Sequence, residues 1–355
     1  MDAMPTLALL VLLAMSAGCA SPDPATRAEA LLAEYARPGA PGASVLILKE
    51  GRILYRKAFG LANLEDAEPA TPATNYRLAS VTKQFTAMAI LLLVDEGRLS
   101  LDDRLSDLLP GFPLYAGDVS IHHLLTHRSG LIDYEDIIPP ETAVPLKDAD
   151  VVRLLQDQDS TYFAPGTAFR YSNSGYAVLA EIVAAVSGRS FAAFLHDRIF
   201  LPLGMTGTVA FEEGISTVPH RAFGYAEREG AFVRHDQSLT SAVLGDGGVY
   251  ASIDDLAAWY RALDDGRLVR PGLMEQVFVP AENTQHEGAG YGFGWFVGQY
   301  GERASVWHTG STVGFRNAVE RFPRARMTVV VLSNREAEVH GLARALADVF
   351  FDEGL

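Results

Sequence analysis

The chain has 355 residues, 48% hydrophobic and 21% charged. That is an ordinary globular balance, which excludes a disordered polymer and suits roughly two domains or one large fold with an insertion. The formal net charge of −15, with no basic cluster, argues against a nucleic-acid partner, whose phosphates would repel such a surface.

Leu7 to Met15 reads LALLVLLAM, too short to span a bilayer but right for the core of a signal peptide. Ser16-Ala17-Gly18 then leads to Cys19, the sole cysteine, so no disulfide can form within the chain. This stretch resembles a bacterial lipoprotein signal, in which the cysteine becomes the lipidated first residue. Ser16 stands where leucine is more usual, and MDAMPT at the start has no Lys or Arg. An ordinary secretory signal with an incidental cysteine is the other reading. Both export the protein: to the periplasmic face of a membrane through a lipid anchor, or to the periplasm or beyond. The expected division is a signal peptide over 1–18, a Pro/Ser tether over 19–26 and a folded region over 27–355.

Residues 27–37 have helical spacing, which Pro38-Gly39-Ala40-Pro41-Gly42 ends. Ala43 to Leu48 (ASVLIL) reads as a buried strand, Glu50-Gly51 as a turn and Ile53 to Phe59 as the returning strand of a hairpin. The spacing predicts helices over 81–96, 120–126, 150–157, 174–187, 190–199 and 253–263. Further strands are expected at Tyr291–Val297, Ser305–His308, Ala318–Phe322 and Thr328–Leu332, and a last helix over Gly341–Phe351. Strands at both ends with helices between predict an α+β fold. Its antiparallel sheet is built from both termini and flanked by helices, with a mainly helical domain inserted. The α/β part would take about 27–80 and 265–355, and the helical part about 81–264.

One stretch carries chemistry. Arg77 to Phe85 reads RLASVTKQF, and the apolar helix begins at Val81. Residues three apart share a helix face, so Lys83 can reach the hydroxyl of Ser80. The helix N-terminus favours an alkoxide or oxyanion nearby. A lysine in an apolar or cationic setting can release its proton and activate a serine. The bland reading is an N-cap serine followed by a surface lysine, so partners must be sought elsewhere.

Pro165 to Tyr176 (PGTAFRYSNSGY) supplies Tyr171 and Asn173, a phenol and an amide between a Pro-Gly turn and a helix. Tyr171 could relay a proton to a leaving group, and Asn173 could bond both substrate and Lys83. Helix-capping turn residues are the plainer alternative. Trp307-His308-Thr309-Gly310-Ser311 lies on a predicted strand. There Gly310 would let a substrate approach the backbone, and the N–H of Ser311 could join that of Ser80 in an oxyanion hole.

Together and in this order, the three motifs resemble the serine β-lactamase and penicillin-binding-protein superfamily. The class C-like branch is the most similar. It contains β-lactamases, D-amino-acid-processing peptidases and family VIII carboxylesterases. The resemblance runs from about Pro41 to Leu332. It includes Ile121 to Leu131 (IHHLLTHRSGL), Gly245-Asp246-Gly247-Gly248 and Tyr291 to Trp295 (YGFGW). It implies the fold read above, a cleft between the two parts, and an acyl-enzyme on Ser80 with Lys83 and Tyr171 as acid/base pair. One residue departs from the β-lactamase pattern: His308 stands where lysine is common. An unperturbed histidine is mostly neutral at pH 7, so a substrate carboxylate loses a permanent cation there. Arg316, in Gly314-Phe315-Arg316-Asn317, is the candidate replacement. The histidine form is similar to esterase-like and peptidase-like members.

No metal and no cofactor are expected. His122, His123 and His127 lack the glutamate of a metalloprotease helix. Gly290, Gly292 and Gly294 lack a dinucleotide fingerprint. Asp246 reads as turn chemistry in a cleft wall. The leading expectation is a serine hydrolase cleaving a small-molecule ester, amide or peptide. The alternatives are a D-amino-acid peptidase or transpeptidase, a β-lactamase, and an acylated sensor that does not turn over.

Overall fold

The computed structural model describes residues 22–282 and 288–352. Cys19 and the apolar run before it lie outside the described residues.

Ala43–Lys49 (β1) and Arg52–Phe59 (β2) form the expected hairpin. Glu50 and Gly51 both take positive φ, 49° and 75°, the backbone that a tight turn needs to match the twist of its strands. Five strands near the C-terminus complete the sheet: Gly290–Tyr291 (β3), Phe296–Tyr300 (β4), Arg303–Thr312 (β5), Phe315–Phe322 (β6) and Met327–Ser333 (β7). The order is β3-β4-β5-β6-β7-β1-β2, with every neighbouring pair antiparallel. The first strand pairs with the last, Ala43 opposite Ser333 and Lys49 opposite Met327. The α+β class and the sheet drawn from both ends of the chain are therefore as expected.

Why β1 and β7 read as unbroken apolar runs is clear from their faces. Val45, Ile47, Val329 and Val331 pack into one core, with Ala28 of helix α1 (Pro24–Leu31) and Leu346 and Phe350 of the C-terminal helix. Leu46, Leu48, Val330 and Leu332 face a second, larger core that holds the middle helices. Successive side chains point to opposite faces, and here both faces are covered.

In that larger core lies helix α2 (Lys83–Asp95), buried at every position from Lys83 to Leu93. The one-sided stripe read from the sequence understates this, because the helix is surrounded rather than laid on a surface. Helix α3 (Asn173–Ser187) packs beside it, and helix α4 (His340–Phe351) covers the far side of the sheet.

Three expected elements differ. The strand over Tyr291–Val297 is two strands, because the chain turns at Gly292–Trp295 with Gly292 N–H bonded to Trp295 O. Gly294 takes φ +80°, and a Cβ there would lie 2.8 Å from Lys83 O. The alternation of glycine and aromatic residues imitates a strand, whereas the glycine is needed for a turn against α2. The helix over 190–199 runs as Phe191–Leu195, a wide π-type turn at His196–Phe200, and Leu201–Leu203. The first helix stops at Leu31 and tightens into a 3₁₀ turn at Ala33–Ala36.

Candidate active site

Ser80 does not begin an α-helix. It lies in a 3₁₀ turn, Ala79–Thr82, from which α2 starts at Lys83. In 3₁₀ geometry residues i and i+3 eclipse one another, which puts Lys83 Nζ 3.1 Å from Ser80 Oγ. The preceding Ala79 has φ +51°, left-handed backbone that costs a non-glycine residue about 1–2 kcal/mol. The approach to this turn is held firmly. Asn317 Nδ2 on β6 donates to Arg77 O (2.9 Å), and Leu78 N–H donates to Val249 O (2.8 Å). At Gly310 of β5 a Cβ would sit 2.1 Å from Leu78 O. The glycine lets strand and nucleophile turn lie this close, which is a different use from the substrate approach read in the sequence.

Lys83 is fully buried. Besides Ser80 it donates to Asn173 Oδ1 (2.8 Å) and to the carbonyl of Asp246 (3.0 Å). Its Nζ lies 5.0 Å from the ring centre of Tyr171 and 5.4 Å from that of Tyr176. A neutral lysine amine has two N–H bonds and one lone pair. As an ammonium Lys83 donates to all three oxygens; after it gives up one proton, two carbonyl oxygens can keep its N–H bonds and the freed lone pair faces Ser80 Oγ. The arrangement can therefore accept a proton from Ser80 without rebuilding its other contacts.

Tyr171 and Asn173 stand at the entry to α3. Asn173 is its first residue, with its N–H on Asp133 Oδ2 (2.8 Å) and its Nδ2 on Glu135 Oε1 (3.0 Å). The Tyr171 hydroxyl is buried and has no hydrogen-bond partner among the described residues. Its ring lies 4.2 Å from the His127 ring. His127 Nδ1 accepts from Ser172 N–H (3.1 Å), which ties the backbone after Tyr171 in place. His123 Nδ1 accepts the N–H of Ser120 in a helix cap, and His122 packs edge-on against Phe293. Each of these histidines thus has a local structural contact.

His308 is buried on β5, with Nδ1 2.6 Å from Thr309 O and Nε2 2.9 Å from the Tyr291 hydroxyl. A carbonyl can only accept, so Nδ1 carries the proton and Nε2 accepts from Tyr291. Burial, and then the nearby Lys83, lower its pKa to about 3. A neutral His308 offers no cation to a carboxylate. The Arg316 guanidinium is bonded to Val313 O and Phe315 O, both at 2.8 Å, at the β5–β6 turn, and it does not line the cavities beside Ser80.

Two cavities meet at Ser80, Asn173 and Ser311. One, of about 690 Å³, is walled by Phe169, Tyr171, Phe296 and His308. The other, of about 40 Å³, runs against Arg77, Glu135 and Asp246. Glu135 had no signal in the sequence, since it follows the recognised Ser129-Gly130-Leu131 by four residues, in a single 3₁₀ turn over Tyr134–Asp136. Asp246 was readable only as a turn residue. Its carboxyl is buried and accepts from the Tyr134 hydroxyl (2.9 Å), while its carbonyl holds Lys83. Desolvation by the cleft wall, then the neighbouring Asp133, raise the Glu135 carboxyl above the usual range.

The Beta-lactamase family model matches residues 27–350. The chain belongs to the β-lactamase family. Penicillin-binding protein 4* of Bacillus subtilis is 34% identical over 310 residues, 83% of this chain and 68% of that protein. D-aminopeptidase of Gluconobacter oxydans is 32% identical over 303 residues, 84% of this chain. Of that relative's length the match spans only 56%. Among solved structures, the octameric penicillin-binding protein homologue from Pyrococcus abyssi superposes with a TM-score of 0.81 at 28% identity. That match covers 92% of this chain and 77% of the other. All three motifs fall inside the family match, and the protein is a serine hydrolase of the β-lactamase fold.

The same buried groups set the pH dependence of this family member's stability. Burial pushes Asp246 up to about 7 and Asp148 up to about 8, from an ordinary 3.8. The folded protein keeps protons that the unfolded chain releases. That stabilisation is complete below about pH 4 and is lost as the pH rises through about 7–8. The histidines act oppositely. His308 is held at about 3, and burial, then Lys83, hold His127 well below 6.5, so stability falls as the pH drops below about 6.5. The two effects offset each other from about pH 4 to 6.5. Above that only the carboxyls still change, so the urea midpoint is expected to fall between about pH 6.5 and 8.5. A midpoint that climbs over this interval contradicts the buried-acid assignment.

Proposed function

We propose that the protein is an exported serine hydrolase that cleaves an ester or amide through an acyl-enzyme on Ser80. Ser80 Oγ attacks the carbonyl carbon, and its proton passes to the Lys83–Tyr171 pair. The N–H groups of Ser80 and Ser311 stabilise the tetrahedral oxyanion. Tyr171 protonates the leaving group as the bond to it breaks, and water then reverses the sequence to free Ser80. The observation that carries this reading is the buried Lys83, whose amine has two carbonyl oxygens for its N–H bonds and Ser80 Oγ at 3.1 Å for its lone pair.

The neutral His308 favours substrates without a carboxylate at the third motif. A second reading, a D-amino-acid amide or peptide as substrate, is favoured by Glu135 and Asp246. Both residues line the narrow cavity beside Ser80, and the Glu135 carboxyl, held by Asn173 Nδ2 at 3.0 Å, is the acceptor that suits a substrate ammonium. The D-aminopeptidase relatives support it.

The test is parallel turnover of p-nitrophenyl butyrate, nitrocefin and the p-nitroanilides of D- and L-alanine by protein lacking residues 1–19. Ester hydrolysis with slow nitrocefin turnover is expected. Preference for the D-anilide over both ester and L-anilide would establish the second reading. Rapid nitrocefin turnover would mean that a cation other than His308 holds the carboxylate. A single burst without steady state would identify a sensor.

Export rests on the apolar run Leu7–Met15 and the small residues before Cys19. Lipidation at Cys19 predicts that the full chain fractionates with membranes and that Cys19→Ser releases it. Equal membrane association of both forms would refute the lipid anchor.

A further inference from the structure

A cavity of about 470 Å³ lies away from Ser80, behind the turn that holds Lys83. Its walls include Phe191, Phe211 and Leu244, and Ile215 stands at it 75% exposed. Its ionisable groups are lopsided. Glu181, Glu212 and Glu213 line it with the buried Asp148, against one lysine, Lys147. Arg153, near Glu181, is already paired with Asp150. An apolar chamber with several carboxylates and one ammonium complements a ligand of opposite charge with an apolar body.

The cavity also touches the catalytic framework. Asp148 accepts the N–H groups of Leu244 and Gly245, both at 2.9 Å. The carbonyl of Gly245 accepts from Thr86 on α2 (2.6 Å), and that of Asp246 accepts from Lys83 (3.0 Å). One short turn therefore has a cavity-wall carboxyl on one side and the lysine beside Ser80 on the other.

We propose that this cavity is a second binding site, for an organic cation with an aromatic or alkyl body, and that its occupant acts on the Lys83 environment through the Asp148-held turn. A cation beside Asp148 favours its ionised form, which strengthens the two N–H bonds it accepts. Nothing in this depends on which ester or amide the cleft takes.

The probe is phenethylammonium, with 2-phenylethanol as its neutral counterpart, titrated calorimetrically into the mature chain. The cation is expected to bind, and the alcohol to bind about tenfold more weakly or worse. Glu181→Gln/Glu213→Gln, which keeps the shape, should weaken the cation about tenfold, the loss of two partly exposed charge contacts. Ala184→Trp should fill the chamber and abolish binding. Hydrogen exchange of the Leu244 and Gly245 amides should slow about threefold or more on saturation. Binding should persist after Ser80 has been blocked by a fluorophosphonate. Equal affinity for the alcohol, full binding by the glutamine variant, or loss of binding on Ser80 blockage would overturn the site. Binding that leaves the amide exchange unchanged would overturn the coupling.

Discussion

Replacing Ser80 by alanine is expected to abolish turnover, by about 10⁴-fold or more in kcat, and to remove covalent labelling by a fluorophosphonate. The fold should survive. Ser80 Oγ accepts one hydrogen bond, from Lys83, which keeps the Asn173 and Asp246 oxygens as partners. The lost bond is worth about 1 kcal/mol, and Ala79 before it already accepts the left-handed backbone that starts the turn. Mass spectrometry of the labelled protein and a thermal melt read the two outcomes separately. A variant that still takes the label at wild-type rate would place the nucleophile elsewhere. A variant that melts far below the wild type would make Ser80 a structural residue, and the loss of activity would then say nothing about chemistry.

How far the site was legible follows from what each residue needed. Ser80 and Lys83 are three apart in the chain, so local geometry alone brings them together, and the same is true of Tyr171 and Asn173 around one helix start. Those pairs could be read from spacing. The contact between the pairs, Lys83 to Asn173, spans ninety positions, and only the order of motifs pointed to it. Glu135 and the buried face of Asp246 were not readable. Both lie on single-turn helices, Tyr134–Asp136 and Leu244–Gly247, too short to carry a periodic pattern, and their side chains are aimed by long-range partners, Asn173 and Tyr134. The state of His308 was half legible. Its identity announced a missing cation, but its neutrality is enforced by burial and by Lys83, which a strand pattern does not report. In the fold, reading strands from the hydrophobic pattern worked at β1 and β7, whose unbroken apolar runs are covered on both faces. It failed at Tyr291–Trp295, where the alternate residues are glycines that turn the chain against α2.

Lys83→Met is expected to lower kcat by about 10³–10⁴-fold, the scale of a positioned general base. Methionine is close to the lysine stem in length and keeps its packing against the Tyr171 and Tyr176 rings. It cannot take the Ser80 proton, and it leaves Asn173 Oδ1 and Asp246 O without their donor. Two unsatisfied acceptors cost about 1–3 kcal/mol each, and relief from burying an ammonium offsets part of this. The melting temperature should therefore fall, with the variant still folded at the assay temperature, so that the rate is read on native protein. Arginine at the same position separates two roles. It keeps the positive charge but cannot be deprotonated. If Lys83 is a base, Lys83→Arg is as inactive as Lys83→Met; if it is only a fixed charge for the oxyanion, arginine retains much of the rate. A second readout is independent of turnover. Lys83 pushes His308 and His127 further down and holds Asp246 lower than burial alone would. Removing the charge should let both histidines titrate at higher pH and send Asp246 higher still. In the methionine variant the loss of stability on acidification should thus be smaller and end at a higher pH, because the histidines take up their protons sooner. An NMR titration in which His308 keeps its wild-type pKa would contradict the part assigned to Lys83 in holding that imidazole neutral. Unchanged kcat would refute the role assigned to it.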